Sequence, residues 1–421
     1  MRGHLIELFT THDATGNKFF QTFGECQIRD AFQLSLELVE ADLACRMYGP
    51  EEPNFPFAAE KIGCIFQRAV VRCGVHGGIV PGGLAHVNAI GGKMLLTQAI
   101  RVRRLSIANR IVMPPMATHS AQDGHVTSDL CAYYRARAEA GTGLIITEHS
   151  YIHMSGRADP QQVSVADDVM LPGLGQLASS IHAAGTTKVF AQINHAGSQT
   201  KPDITGGELL SASAVPHPAV ADAAMPRPLS ETEIASIVSL FADAAVRVRT
   251  AGFDGVEIHA AHGYLLNQFY SPLTNRRTDA YGAGSLENRL RFLLEALAAV
   301  RAVVGDAYPV AVRLGGADYM EGGSTIDDSV AAARLLEDAG ADLLDISGGM
   351  CRYTRRGHSE VGWFADMSTA IKQAVSIPVL LTGGVKTGEQ AEELLQRGAA
   401  DMIGVGRAMM HDAAWTLKAL S

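Results

Sequence analysis

No two cysteines in this chain stand at C-x-x-C or any other tight ligand spacing, although six are present in 421 residues. Zinc and iron–sulfur sites therefore lack their donor sets, and no metal is expected. A disulfide framework is not expected in a chain long enough to bury a large core. No apolar run reaches the 18 or so residues that cross a bilayer. Polar residues between Thr10 and Lys18 break any signal-peptide pattern. Positive charge is in deficit as well: 35 Lys and Arg against 44 Asp and Glu leave a formal net charge of −9. That balance argues against a nucleic-acid partner or an electrostatically held membrane protein. The one dense basic cluster, Arg101-Val-Arg-Arg104, reads as a solvated face. A cytoplasmic protein is the expectation.

A hydrophobic fraction of 47% with 19% charged residues is that of a folded globular chain. Its texture changes near residue 93. Residues 1–93 lack regular punctuation, hold Cys26, Cys45, Cys64 and Cys73, and approach their end through Gly77-Gly-Ile-Val-Pro-Gly-Gly83. They are expected to be an N-terminal extension: an accessory domain, a disordered segment or sequence upstream of the natural start. From Met94 onward, short β-branched runs alternate with helical patterns. Strands are predicted over 110–113, 144–147, 188–192, 255–259, 310–314, 343–347, 379–382 and 402–405. Helices are predicted over 128–140, 171–184, 230–251, 286–304, 325–339, 364–374, 387–397 and 411–420. Ser230-Glu-Thr-Glu233 is a capping box, and Gly252, Gly340 and Gly398 stand where C-terminal glycines belong. Eight strands and eight helices in strict alternation predict an α/β fold, a (β/α)8 TIM barrel over 94–421. No G-x-G-x-x-G follows the first strand, which counts against an open doubly wound sheet.

In such barrels chemistry gathers at the C-terminal strand ends, and phosphate binds after strands seven and eight. Those two strands end in Thr382-Gly383-Gly384-Val385 and Gly404-Val405-Gly406-Arg407. Bare backbone N–H groups and an arginine there suit a phosphate. The fourth strand ends in Glu257-Ile-His259-Ala-Ala-His262-Gly-Tyr264. Its two histidines can donate to a carbonyl or oxyanion, with Tyr264 as proton donor. Alternatively, His259, His262 and Glu257 form the metal site of a barrel hydrolase. The metal reading is the weaker, because the other strand ends offer Gln192, Arg313 and Ser347 rather than further ligands. Gln192 suits a ring edge of alternating N–H and C=O groups, and an inward Arg313 needs an anionic or strongly polar partner. Together with the phosphate loops they point to a heteroaromatic cofactor across the barrel mouth.

Longer motifs make the reading specific. They are Asn109-Arg-Ile-Val-Met-Pro-Pro-Met-Ala-Thr118, Gly143-Leu-Ile-Ile-Thr-Glu148, Gln192-Ile-Asn-His-Ala-Gly197, His259-Ala-Ala-His-Gly-Tyr-Leu-Leu-Asn-Gln-Phe269 and Ser271-Pro-Leu-Thr-Asn-Arg-Arg-Thr-Asp-Ala-Tyr-Gly282 with Ser285-Leu-Glu-Asn-Arg289. In these stretches residues 94–421 resemble the old yellow enzyme family of FMN-dependent NAD(P)H oxidoreductases, in the branch of 2,4-dienoyl-CoA and 2-enoate reductases. The resemblance implies that Pro115, Met116 and Ala117 line the flavin and that Gln192 bonds its pyrimidine portion. It places Arg313 near N1/O2, and gives the phosphate to Gly383, Gly384, Gly406 and Arg407. NADH or NADPH would reduce the flavin, whose N5 then passes hydride to an activated alkene. His259 and His262 would hold the substrate oxygen while Tyr264 protonates the α-carbon. The partners implied are an α,β-unsaturated carbonyl compound and a nicotinamide nucleotide, with homo-oligomers known among relatives.

Departures from the family pattern bear on specificity. Ala117 stands where many relatives carry a Cys or Thr that tunes the flavin, and His119 where some carry a substrate-contacting tyrosine. Segment 351–363 is long enough to cover the mouth and brings Tyr353, Trp363, Arg352, Arg355 and Arg356. Its arginines suit a carboxylate or a CoA phosphate. His119, Tyr353 and Trp363 are accordingly candidate substrate contacts. Long relatives carry an iron–sulfur cluster and a second flavin domain after the barrel. Without them, electrons are expected directly from NAD(P)H or from a separate partner. A non-catalytic flavin-binding protein is the third reading.

Overall fold

The computed structural model describes residues 94–421, and the expected extension over residues 1–93 lies outside the described residues. Two three-residue strands, Ile100–Val102 (β1) and Leu105–Ile107 (β2), form an antiparallel hairpin. The barrel then begins with Ile111–Met113 (β3), Leu144–Tyr151 (β4) and Lys188–Asn194 (β5). A two-residue ribbon, Leu210–Ser211 (β6) with Arg227–Pro228 (β7), stands apart from it. Gly255–Ala260 (β8), Val310–Ala317 (β9), Leu343–Gly348 (β10), Val379–Thr382 (β11) and Met402–Gly404 (β12) complete the circuit. All eight barrel strands are parallel, and β12 closes on β3 through Ile403↔Ile111 and Gly404↔Val112. The (β/α)8 barrel expected from the alternation is the fold.

Helix boundaries follow local chemistry. Ser230 and Glu233 form the capping box at the start of the helix Glu231–Thr250, and Thr325 with Asp328 does the same for Ile326–Asp338. Such caps are each worth about 1 kcal/mol. Gly252, Gly340 and Gly398 take φ of +88°, +96° and +74°, a region that only glycine enters without strain. The predicted last helix, 411–420, is instead two: Arg407–His411 and Trp415–Leu420. Asp412 breaks it. Its carboxylate accepts from the Ala414 N–H at 3.0 Å while its own backbone turns extended.

Strand alternation divides the barrel interior into two ends. Val112, Leu144, Ile146, Phe190, Ala311, Leu343, Leu380 and Met402 form one buried cluster together with Val102 and Ile107 of the hairpin. The hairpin therefore plugs the N-terminal end of the barrel. Phe190 fills this layer so fully that a Cβ on Gly255 would lie 2.4 Å from its ring. Further along the same strands the interior turns polar, with Gln192 and Asn194 on β5, Glu257 and His259 on β8, Arg313 on β9 and Asp345 on β10. The helices pack on the outside through a separate and larger apolar cluster.

Candidate functional site

Beyond β8 the chain makes a tight turn in which His262 and Gly263 take φ of +60° and +79° in succession. A side chain at position 263 cannot fit, because its Cβ would lie 2.1 Å from His217 Nε2. The turn is tied down on each side. The His262 N–H donates to Gly348 O at 3.1 Å, and Gln268 Nε2 donates to Gly263 O at 2.7 Å. It folds His262 and Tyr264 back over the strand end, so the His259 ring centre lies 5.1 Å from that of His262 and 4.9 Å from that of Tyr264. The three residues singled out in the sequence are thus one cluster at the C-terminal mouth.

Protonation follows from burial. His259 and His262 are held well below the usual imidazole range by desolvation, reinforced at His259 by His262 and at His262 by Arg313. Both rings are neutral at pH 7. The Ala261 N–H donates to His259 Nδ1 at 3.3 Å, which puts the ring proton on Nε2. His262 Nε2 shares a 2.7 Å hydrogen bond with Ser347 Oγ. Tyr264 is pushed up to about 12, by burial above all, and keeps its proton. Neutral N–H donors beside a protonated phenol can stabilise a developing oxyanion and supply a proton.

A fourth ring completes the cluster, and the sequence reading missed it. His149 is half-buried, with its ring 5.3 Å from Tyr264 and 6.2 Å from His259. The Ala158 N–H donates to Gln162 Oε1 at 2.7 Å, fixing that amide so that its Nε2 donates to His149 Nδ1, also at 2.7 Å. The His149 proton therefore sits on Nε2. Desolvation lowers its pKa to about 4, so this ring too is neutral. The predicted strand stopped at residue 147, but β4 runs on through a register shift between Thr147 and Ser150. Strict alternation cannot foresee such a bulge. Glu148, in the same stretch, is buried and raised to about 7 by desolvation; it accepts from Thr118 Oγ1 at 2.6 Å and so anchors the segment that carries Ala117.

Below the cluster lies a set of buried charges. Gln192 Nε2 donates to Glu257 Oε1 at 2.8 Å, leaving Gln192 Oε1 and Glu257 Oε2 without partners. Arg313 Nε stands 3.0 Å from Asp345 Oδ2, an ion-pair distance without hydrogen-bond direction. Burial raises both Glu257 and Asp345, the latter to about 6, with Arg313 opposing. Both amide atoms of Asn194 are also unpaired. Asp345 was missing from the sequence reading, although the strand parity that selected Ser347 also selects it.

At the far side of the mouth, Pro115 is buried, Met116 half-buried and Ala117 exposed. Gly406 adjoins Met116, whose Sδ would lie 2.9 Å from an added Cβ, so β3 and the β12 loop share one edge. A Cβ on Gly384 would lie 2.6 Å from the Trp363 ring, and Arg407 Cζ lies 5.3 Å from the centre of that ring. Trp363 therefore stands beside the glycine loops, with its Nε1 buried and unpartnered. Tyr353 does meet the cluster, its exposed ring edge-on to His262 at 6.1 Å. His119 pairs its Nδ1 with Asp159 Oδ1 at 3.2 Å, and its charge is felt at His149. Among the described residues no three His, Cys, Asp or Glu side chains are grouped to hold a metal ion. An open groove between Pro202 and Arg227 is lined by none of the residues above.

Buried amide and guanidinium groups with unused hydrogen-bonding capacity, above glycine loops with an arginine, fit the two ends of an FMN molecule. Comparison with known proteins agrees. Residues 96–421 match the model of the NADH:flavin oxidoreductase / NADH oxidase family. The NADH oxidase of Thermoanaerobacter brockii is 42% identical over 325 residues, 76% of this chain and 50% of that protein. The NADPH dehydrogenase of Halalkalibacterium halodurans is 36% identical over 320 residues, 76% of this chain and 91% of that protein. The structure of the old yellow enzyme homologue from Zymomonas mobilis superposes with a TM-score of 0.65 at 30% identity, covering 75% of this chain and 89% of that one. The chain thus spans about half the length of the first relative and nearly all of the second.

Proposed function

The chain belongs to the NADH:flavin oxidoreductase / NADH oxidase family, and from that premise we propose that it is an FMN-dependent NAD(P)H oxidoreductase reducing the C=C bond of an α,β-unsaturated carbonyl compound. The observation that carries the reading is the cluster at the barrel mouth in which the His259 ring centre lies 5.1 Å from that of His262 and 4.9 Å from that of Tyr264. FMN, when bound, supplies two-electron chemistry between the nicotinamide and the alkene.

The chain's own residues do the rest. Gln192, Arg313, Gly383, Gly384, Gly406 and Arg407, with the Pro115–Ala117 edge, hold the cofactor. His259 and His262 bind the substrate carbonyl oxygen as neutral donors. Enolate charge grows on that oxygen during reduction, so the interaction strengthens in the transition state. His149, its ring beside those of Tyr264 and His259, adds a third neutral N–H donor to the cluster. Tyr264, which stays protonated through the neutral range, delivers its proton to the α-carbon.

Tyr264→Phe separates the two halves of the reaction. The alkene half should slow by roughly 10²–10⁴-fold, the usual contribution of a placed general acid. Reduction of the flavin by NAD(P)H should be unchanged in anaerobic stopped-flow. Equal slowing of both halves would contradict the role given to Tyr264.

A further inference from the structure

We propose that Asp345 balances the charge of the reduced cofactor: on reduction it takes up one proton from solvent, and on reoxidation it gives that proton back. The inference rests on the reading of the polar barrel end as the FMN site, and it begins with a count of charges. Glu257 on β8, Asp345 on β10 and Arg313 on the strand β9 between them are all buried there. Two carboxylates against one guanidinium leave one negative charge too many for a buried layer. A proton on Glu257 removes it. Glu257 Oε1 accepts from Gln192, its Oε2 has no partner, and burial together with Asp345 holds this carboxyl well above the usual range. Asp345 and Arg313 then neutralise each other, and before reduction the layer carries no net charge.

The hold of Arg313 on Asp345 is loose. The two residues stand opposite each other in the β9–β10 register, with Arg313 Nε 3.0 Å from Asp345 Oδ2. That contact lacks hydrogen-bond direction, so Arg313 Nε and both Asp345 oxygens are without partners. On its other side Asp345 is level with Leu380 of β11, which is apolar. The ionisable groups facing Asp345 are thus Arg313 and Glu257, while His259, beside Arg313 on β8, is neutral. Burial raises Asp345 to about 6 with Arg313 opposing, so it is ionised at pH 7 while the pair lasts.

Hydride from a nicotinamide brings two electrons and one proton, and so adds one negative charge to the site. Arg313, one of the groups that hold the cofactor, then faces two anions and can neutralise only one. Asp345 has the weaker claim, since no directed hydrogen bond ties it to the guanidinium. Deprived of its counter-charge in a buried place, the carboxylate binds a proton and becomes neutral. The layer thus keeps the same net charge in both redox states. The count of particles closes as well: the electron pair and the hydride proton go to the flavin, and the solvent proton goes to Asp345.

Proton counting on the full-length holoenzyme tests this. In weakly buffered anaerobic solution at about pH 7.5 with an indicator dye, reduction by NAD(P)H should remove about one proton per flavin from solvent. Hydride transfer alone removes none. In a dye-mediated titration with a chemical reductant, the midpoint potential between about pH 6.5 and about pH 8.5 should fall with the slope of two protons per two electrons, not one. Asp345→Asn should lose both effects, and Glu257→Gln should lose neither. A third readout needs no variant: the reduced-minus-oxidised infrared spectrum should gain the C=O band of a protonated carboxyl. A one-proton slope, proton uptake that survives Asp345→Asn, or a reduced spectrum that places the extra proton on the flavin ring would overturn the assignment. The chemical titration keeps the two readings apart. A flavin that NAD(P)H leaves oxidised removes the proposed activity while the slope still reports on Asp345; a one-proton slope in a flavin that NAD(P)H bleaches removes Asp345 alone; a chain that takes up no FMN removes both.

Discussion

At the N-terminal end of the barrel, Val112, Phe190, Leu343 and their neighbours close against the hairpin residues Val102 and Ile107 as one apolar cluster. A few residues along the same strands, Gln192, Asn194, Glu257 and Asp345 are as deeply buried, yet each leaves side-chain atoms without a partner. The first end gains stability by excluding water from apolar surface. The second forgoes stability, since an unsatisfied buried polar group costs about 1–3 kcal/mol. Groups left unpaired inside a well-built fold mark where a ligand completes the structure. One barrel thus separates what keeps it folded from what it does.

Substitutions sharpen this division, beginning with the largest effect. Phe190→Ala should destabilise the protein by about 3–5 kcal/mol through the cavity it leaves. The folded fraction should still hold flavin at normal stoichiometry, read by absorbance beside a denaturant titration. Loss of flavin from folded Phe190→Ala protein would show that the two ends are not independent.

Acid acts on the polar end. His149, His195, His217, His259 and His262 all have folded-state pKa values below their unfolded 6.5. The unfolded chain therefore binds more protons at these sites once pH falls below about 6.5, and stability falls with it. Glu148, Glu257 and Asp345 are raised and work in the opposite direction, losing their contribution as pH climbs toward neutrality. Five histidines against three carboxylates leave a net loss toward pH 5, at most about 1.4 kcal/mol per pH unit for each uncompensated group. Thermal melts at pH 7 and pH 5 check this. A midpoint that rises on acidification would contradict the assigned protonation states.

The smallest effect is the most pointed. Asn194→Leu removes two unpaired polar atoms from the buried end. The flavin-free barrel should gain about 1 kcal/mol, while flavin retention falls. A variant that is less stable without flavin would mean that Asn194 is already satisfied in the folded chain.

Much of this organisation is legible in the sequence. Alternating β-branched runs and capped helices specify the barrel, because helix caps and C-terminal glycines are local chemistry. The clustering of His259, His262 and Tyr264 is legible too, since all three lie within one strand end and its turn. What escapes is set by geometry between segments. Three-residue strands such as Ile100–Val102 fall below any useful period, so the hairpin plug has no signature. The shift within β4 hides His149, and Asp412 divides a helix whose pattern reads as continuous. Trp363 shows the limit for loops: its aromatic character was visible, but its place beside Gly383 and Gly384 depends on a path that spacing does not encode.

The central claim, that the polar end holds FMN and passes electrons from a nicotinamide, is tested most directly by an anaerobic absorbance spectrum of the full chain. It is recorded before and after NADH, and then NADPH. The expected result is a yellow protein whose flavin bands bleach with one of the two nucleotides. A colourless protein that takes up no added FMN would contradict the claim.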